Sequence, residues 1–495
     1  MTRGKSGLVK PLLLSGAAGG AWALALPSWH WVGLLPVGAL CLAYGFKFLT
    51  SAGKAFLTGS FTGFCHWLVA VFWVVEVMTH FGHLSGPVAF AALGLMSLIL
   101  GLFWGVAFWA AYRVSEAWRP LVLALGLSAG EMAQGLPPWN FPWNPMASAF
   151  VRWPELLASL SILGATLFGL LVRVLLLAGA FGFLHKSSKF LRIAGGGGAL
   201  LLVATLAAGK PSELGPAVLA AAVQPNVPLE VRWDWENLPE IEERVWRLTL
   251  QAVSQGAKLL VWPESAVPRL LERDEQYRSQ LMAFSRKQQA WLVLNSIGFG
   301  NNGTYFNSMY LVSPSEELHR YDKVHLVPFG EYVPPWAQLF FLRPLVREVG
   351  GFTPGKDAHL LPGPWGSMGG AVCYEVAFPL HVASQARAGA SLLVSVTNDG
   401  WYGESSAPYQ HLALAILRAI ENRRYLIRAA NTGISAIIAP DGRITQKLGI
   451  GAEGVLLDQV IFSSKVSPAA ALAEFLHLAP VLVFGTAILL LVRQR

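Results

Sequence analysis

Charge is scarce in this chain: Asp, Glu, Lys and Arg make up 13% of its 495 residues, against 54% hydrophobic ones. So apolar a chain cannot stay solvated as a disordered one, and a mean hydropathy of +0.47 is too high for a purely water-soluble protein of this length. Cysteine is scarcer still. Cys41, Cys65 and Cys373 leave no room for a disulfide framework. Acidic residues are nearly missing from the first 210 positions, which hold 4 of them beside 13 Lys and Arg. Residues 211–466 hold 24 acidic and 22 basic residues, so the net charge of +8 belongs to the apolar part. A nucleic-acid surface would put that excess on the polar part, which argues against nucleic acid as a partner and for a bilayer.

What the chain has in abundance is long apolar runs. Seven precede residue 210, over 11–27, 31–46, 55–78, 86–111, 120–136, 155–184 and 193–209; an eighth covers 469–492. A helical span needs about 20 residues, so these predict about eight transmembrane helices. Basic residues sit on alternate connectors: Arg3, Lys5 and Lys10; Lys47 and Lys54; Arg113 and Arg119; Lys186, Lys189 and Arg192; Arg493 and Arg495. The opposite short connectors carry only Arg152. The positive-inside rule then places both termini in the cytoplasm, and an even number of spans agrees. Removing the first run as a signal peptide would break the alternation. Glu76, Glu131 and Arg173 lie inside runs, where ionisable residues are functional candidates unless they pair or reach the interface. The loop PPWNFPWNP at 137–145 offers Trp139, Phe141 and Trp143 as an interfacial belt or as the border of a lipid opening.

The pattern therefore predicts a seven-helix transmembrane domain over 1–210, an inserted extracytoplasmic α/β domain over 211–466 and a C-terminal transmembrane helix over 467–495. In the insert, strands are expected at 217–224, 258–262, 291–297, 308–312, 369–372, 391–396, 434–439 and 455–460. Helices are expected at 236–255, 273–289, 379–388 and 409–430. Gly300 to Gly303 mark a hairpin turn.

Three segments carry chemistry. LLVWPESAVP puts Glu264 at the carboxyl end of a strand, where functional groups of α/β folds gather. YDKVHLVPFGEYVP places Lys323 and Glu331 eight residues apart among apolar neighbours, and a buried lysine needs an acidic partner. GGAVCYEVAFP runs a strand into Cys373, which is either inert core or a thiol whose pKa is lowered by nearby helical N–H groups. A carboxylate to take the thiol proton, a thiol to form a thioester and an ammonium for the oxyanion suit acyl transfer or amide hydrolysis. His325 and His411 leave a papain-like Cys–His pair as the competing reading.

These segments resemble the nitrilase superfamily, whose catalytic set is Glu, Lys and Cys in that order. Over nearly its full length the chain resembles the bacterial apolipoprotein N-acyltransferase family, on VWPESAVP, YDKVHLVPFGEYVP, VCYEVAFP and VTNDGWYG. The approach to the last span, SPAAALAEFLHLAP, departs from the family's aromatic, aspartate-containing stretch. The resemblance implies a nitrilase-like αββα four-layer sandwich inserted in a membrane α-helical bundle of about eight helices. It implies residence in the inner membrane, with the insert on the periplasmic side. It implies Glu264 as general base, Lys323 as oxyanion stabiliser and Cys373 as nucleophile. Glu331 would support the lysine, Tyr374 and Glu375 would flank the nucleophile, and Trp233 would lie near the substrate opening. The reaction implied moves an acyl chain from a membrane glycerophospholipid, through a thioester, to the α-amine of the diacylglyceryl-cysteine of apolipoproteins. No metal or soluble cofactor is implied. A membrane-tethered amidase and a transporter with an inactive nitrilase-like domain are the alternatives. The apolar segment 334–352, with Trp336, Phe340 and Phe341, reads either as core or as a lid that guides acyl chains to Cys373.

Overall fold

A computed structural model describes residues 9–211, 214–232, 235–333, 351–356 and 359–493. The chain divides into two compact units, Met1–Gly209 with Leu472–Arg495, and Lys210–Ala471.

The first unit is all helical: α1 (Val9–Leu24), α2 (Leu34–Gly45), α3 (Ala52–Ala70), α4 (Val74–His80), α5 (Gly86–Arg113), α6 (Arg119–Ala133), α7 (Leu160–His185), α8 (Ser188–Ala208) and the C-terminal helix Ala473–Arg493. Among the described residues, α5, α7, α8 and the C-terminal helix are long and apolar enough to cross a membrane. A fifth span results if α3 and α4, bent by 57°, count as one. Eight were expected; the remaining runs form α1, α2 and α6, of 16, 12 and 15 residues, short of the about 20 that an upright span needs.

Without a hydrophobic drive inside lipid, helices associate by close packing of small residues. Gly59 and Gly63 of α3 face Gly101 and Gly105 of α5 in that way: a Cβ on Gly63 would lie 2.7 Å from Gly101 Cα, and one on Gly101 would lie 2.6 Å from the Ser60 carbonyl oxygen. Arg173 does pair with Glu131, and its Nη1 donates to Ser128 Oγ at 2.9 Å. Glu131 also accepts the Met146 N–H at 3.0 Å, fastening the end of the aromatic loop. In that loop Trp143 is buried against Trp73 and Phe141, while Trp139 is exposed, so only part of it fits an interfacial belt. Glu76 on α4 is exposed.

The second unit holds two sheets. Six strands, β1 (Ala217–Gln224), β2 (Leu259–Val261), β3 (Trp291–Phe299), β4 (Tyr305–Val312), β5 (Leu318–Asp322) and β11 (Gly454–Ile461), are ordered β11-β1-β2-β3-β4-β5. Five more, β6 (Ser367–Val372), β7 (Ala390–Thr397), β8 (Leu426–Ala430), β9 (Ser435–Ile438) and β10 (Ile444–Leu448), are ordered β10-β9-β8-β7-β6. Strands β1, β2 and β3 are parallel, as are β6, β7 and β8. Side chains alternate across a strand. Val218, Ala220 and Ala222 of β1 join Leu392, Val394 and Ile427 in a core between the sheets. Ala221 and Val223 face the other way and pack with Val245, Leu248 and Leu281. Those three belong to helices α9 (Leu238–Ser254) and α10 (Glu275–Gln288). Helices α11 (Pro379–Arg387) and α12 (Ala407–Asn422) pack on the second sheet, completing an αββα order. Each fully buried Leu, Ile or Val in these layers contributes roughly 1.5–3 kcal/mol.

One expected helix is shorter than its pattern. The run 409–430 breaks at Arg423, whose φ of 52° caps α12 in the left-handed region. Leu426–Ala430 then forms β8, buried throughout between β7 and β9. A strand buried on both faces has no alternation to betray it. Strands β5 and β10 also escaped notice, because LHRYD and ITQKL are polar edge strands without an apolar run.

Candidate active site

Topology gathers the three chemical segments. Parallel strands point their carboxyl ends to one side, where α/β folds place ligands. Glu264 follows β2, Cys373 follows β6, and Asn398 and Asp399 follow β7. Strand β4 is antiparallel to β3, and β5 to β4, so the start of β4 and the end of β5 reach the same side. Ser308 pairs with Asp322, and the Lys323 N–H donates to the Asn307 carbonyl at 2.9 Å.

Lys323 is 1% exposed, and its Nζ lies 2.9 Å from both carboxylate oxygens of Glu331. The eight-residue spacing works because the chain doubles back at the Pro-Phe-Gly break. Phe329 takes a φ of 64°, and Val327 exchanges backbone and side-chain hydrogen bonds with Glu331 at 2.9 and 2.8 Å. Burial disfavours the ammonium, but Glu331 and Glu264 outweigh it and hold Lys323 above the ordinary lysine range. Asn307 Nδ2 donates to Glu331 Oε1 at 2.8 Å and to Glu264 Oε1 at 2.9 Å, joining the two carboxylates. Glu264 Oε2 accepts the Asn398 N–H at 3.0 Å. Burial raises the Glu264 pKa above the usual carboxylate value, although Lys323 opposes it.

Cys373 is 6% exposed, has a φ of 52° and opens the short helix Cys373–Ala377. Helical N–H groups do not make it a resting thiolate. Burial and the Glu264 charge push the thiol up to about 12, against the pull of Lys323 and a hydrogen bond with Thr397. Such a thiol is protonated at neutral pH and needs a base to react. The histidines are placed for other work. His411 Nε2 donates to the Cys373 carbonyl at 3.0 Å, while Nδ1 faces Asp399 Oδ1 at 3.0 Å. His325 is stacked on Phe378 at 3.9 Å, and burial lowers it to about 4.

Glu375 is fully buried, and its carboxylate accepts from Tyr321 Oη at 2.7 Å and from the N–H groups of Val324, His325 and Val372 at 2.6, 3.1 and 2.8 Å. It thereby braces the lysine segment against the cysteine turn. Tyr374 is buried with its ring edge-on to Phe378. Trp233, Trp336, Phe340 and Phe341 lie outside the described residues. Sequence reasoning missed Asn307, because it began that strand three residues late, and it missed Arg232 and the buried Arg428. Among the described residues no group of three or more His, Cys, Asp or Glu is placed to hold a metal ion. A protonated thiol, a carboxylate and a buried ammonium near enough to shift one another's ionisation can together run acyl transfer.

The comparisons with known proteins follow the two units. Residues 219–464 match the profile of the carbon-nitrogen hydrolases, and residues 18–179 match that of the apolipoprotein N-acyltransferase N-terminal domain. An apolipoprotein N-acyltransferase of Geobacter metallireducens is 34% identical over 87% of this chain and 84% of its own length. Another, from Allorhizobium ampelinum, is 31% identical over 92% and 90%. Among solved structures, Saccharomyces cerevisiae Nit3, a member of branch 10 of the nitrilase superfamily, covers 50% of this chain and 92% of its own at 18% identity, with a TM-score of 0.40. With relatives at this identity across most of both lengths, the chain belongs to the apolipoprotein N-acyltransferase family.

Proposed function

We propose that this membrane protein transfers an acyl chain from a glycerophospholipid to the α-amine of the diacylglyceryl-cysteine of an apolipoprotein, in two steps. The observation that carries the reading is the buried Lys323, held by Glu331 and felt electrostatically by both Glu264 and the Cys373 thiol. In the first step Glu264 takes the thiol proton and sulfur attacks the ester carbonyl. Lys323 stabilises the oxyanion, the ester C–O bond breaks, and the lysophospholipid leaves with the proton from Glu264. In the second step the α-amine attacks the thioester, gives its proton to Glu264 and expels the thiolate as the amide forms. Glu331 and Glu375 position the lysine, and Tyr374 flanks the nucleophile. Trp233, Trp336, Phe340 and Phe341 contact the lipid substrates in this reading; the apolar sequence around Trp336, Phe340 and Phe341 favours it, and Trp233 is carried over from the family resemblance.

The same reading takes 1–210 and 467–495 as the membrane domain, with eight crossings, and 211–466 as the catalytic domain. Both termini lie in the cytoplasm and the catalytic domain on the periplasmic side of the inner membrane; the alternating basic connectors support this. An impermeant thiol reagent should label a cysteine placed at Ser405 in intact spheroplasts. Labelling only after lysis would overturn the orientation.

Intact-protein mass spectrometry tests the chemistry. Phospholipid alone should add one acyl mass at Cys373, and a diacylated peptide should discharge it with formation of an amide. Discharge by water at the same rate without peptide would make the protein an amidase. Absence of any acyl mass would favour the transporter reading.

A further inference from the structure

A second cation lies beside Glu264. Arg232 ends the single-turn helix Leu229–Arg232 and is 3% exposed. With the Asn398 carboxamide oriented so that its oxygen faces the guanidinium, that oxygen accepts from Nη1 at 2.6 Å and Nη2 at 3.1 Å. The Asn398 backbone N–H in turn donates to Glu264 Oε2 at 3.0 Å. Among the described residues, Nε of Arg232 has no hydrogen-bond partner. A buried guanidinium is costly unless a nearby negative charge compensates it. The acidic group whose charge it feels is Glu264.

Counting charges shows why this matters. Glu264 and Glu331 face Lys323, which is hydrogen-bonded to Glu331. With Lys323 alone, two carboxylates would share one cation, and one of them would favour its protonated form. Arg232 supplies the second positive charge. A protonated Glu264 cannot accept the thiol proton, so the reaction needs it ionised.

We propose that Arg232 is a positioning residue for the acyl transfer: through Asn398 it fixes Glu264, and its guanidinium favours the ionised carboxylate. This rests on the reading of Glu264 as the base. Among the described residues, the charged and titratable groups facing Glu264 are Lys323, Glu331, Arg232, Cys373 and Tyr402. Burial pushes its carboxyl up most, Glu331 adds to that, and Lys323, Asn307 and Arg232 pull it down. Removing the Arg232 charge therefore raises the pH at which Glu264 becomes a base.

The test uses the full chain in detergent as wild type, R232Q, R232K and Glu264→Gln. Acyl-enzyme formation from phospholipid is followed across the acid range by intact mass, and alkylation of Cys373 by iodoacetamide is followed in parallel. Glutamine keeps a hydrogen-bond donor for Asn398 but loses the charge. Its acid limb should move up, by up to about one pH unit, since Arg232 is the weakest of the groups that pull Glu264 down. R232K should keep the wild-type limb. An R232Q limb that coincides with wild type would overturn the proposal. So would an R232K limb displaced as far as that of R232Q, since geometry and not charge would then be at stake. If R232Q forms no acyl-enzyme, the alkylation profile reads the same limb. A break at the wild-type pH that survives in Glu264→Gln would instead overturn the reading of Glu264 as base, and a break lost there but unmoved in R232Q would overturn the role of Arg232 alone.

Discussion

Cys373→Ala is expected to gain no acyl mass from phospholipid, and Glu264→Gln to gain it roughly 10²–10⁴ times more slowly than wild type. The first follows from the positions of the thiols: Cys41 and Cys65 lie on α2 and α3, while Cys373 is the one beside Glu264 and Lys323. The second follows from the resting thiol. With a pKa of about 12, only about one molecule in 10⁵ is ionised at pH 7. A base that removes the proton during attack recovers most of that deficit, and a glutamine amide cannot. The pH dependence distinguishes this from simple disruption. Glu264→Gln removes one of the charges that raises the thiol pKa, so its residual rate should climb steadily with pH as the thiol ionises directly, without the break that marks the titration of Glu264 in the wild type. Lys323→Met should cost about 10²–10³ on the plateau, the usual loss for one oxyanion donor, and should also move the acid limb upward, because Lys323 pulls the Glu264 carboxyl down. Acyl-enzyme on Cys373→Ala, or a Glu264→Gln rate equal to wild type, would show that the roles are misassigned.

Much of this site is legible because its three segments are long and each follows a recognisable strand. Strands β1, β2 and β7, interior to their sheets, and the edge strand β6 are largely buried apolar runs, and the carboxyl ends of β2, β6 and β7 lead to Glu264, Cys373 and Asn398. Lys323 and Glu331 are close in sequence, so their partnership could be read from spacing. Asn307 and Arg232 could not be read in that way. The two acceptors of Asn307, Glu331 and Glu264, are 24 and 43 residues away, and Arg232 reaches Glu264 through Asn398, which lies 134 residues beyond that glutamate. Only the sheet order brings such residues together. Cys373 shows a subtler limit. The turn that seemed suited to lowering its pKa is present, but the burial that raises it depends on packing from both sheets. In the membrane unit hydropathy locates each helix, yet bends and short lengths separate an apolar run from an upright span.

Asp399→Asn and Arg428→Met are each expected to destabilise the catalytic unit by about 3–5 kcal/mol, the cost of leaving one partner of a buried ion pair uncompensated. Asp399 Oδ2 accepts from Arg428 Nη2 at 2.6 Å, and both side chains are fully buried. Burial alone would raise the Asp399 pKa, but Arg428 and His411 hold its carboxyl well below the usual range. The sign of the pH dependence follows. Above about pH 4 the unfolded chain also carries an ionised aspartate, and the full stabilisation is present. As pH falls below that, the unfolded state binds a proton that the folded state refuses, and stability drains away toward the depressed folded value. Asp399→Asn should therefore flatten the acid side of the stability curve as well as lower its plateau. Arg428→Met should behave differently, since its orphaned aspartate can escape by taking a proton, so its deficit should shrink in acid. The double variant should recover part of the loss, because neither charge is then left alone. Thermal unfolding of the full chain across pH measures all three, and strictly additive losses would mean that the pair is not the unit of stability. The consequence reaches the chemistry through two short links. His411, oriented by Asp399, donates to the Cys373 carbonyl, and Asn398, next in the chain, donates to Glu264. Loosening the pair should then slow acyl-enzyme formation even at temperatures where Asp399→Asn remains folded.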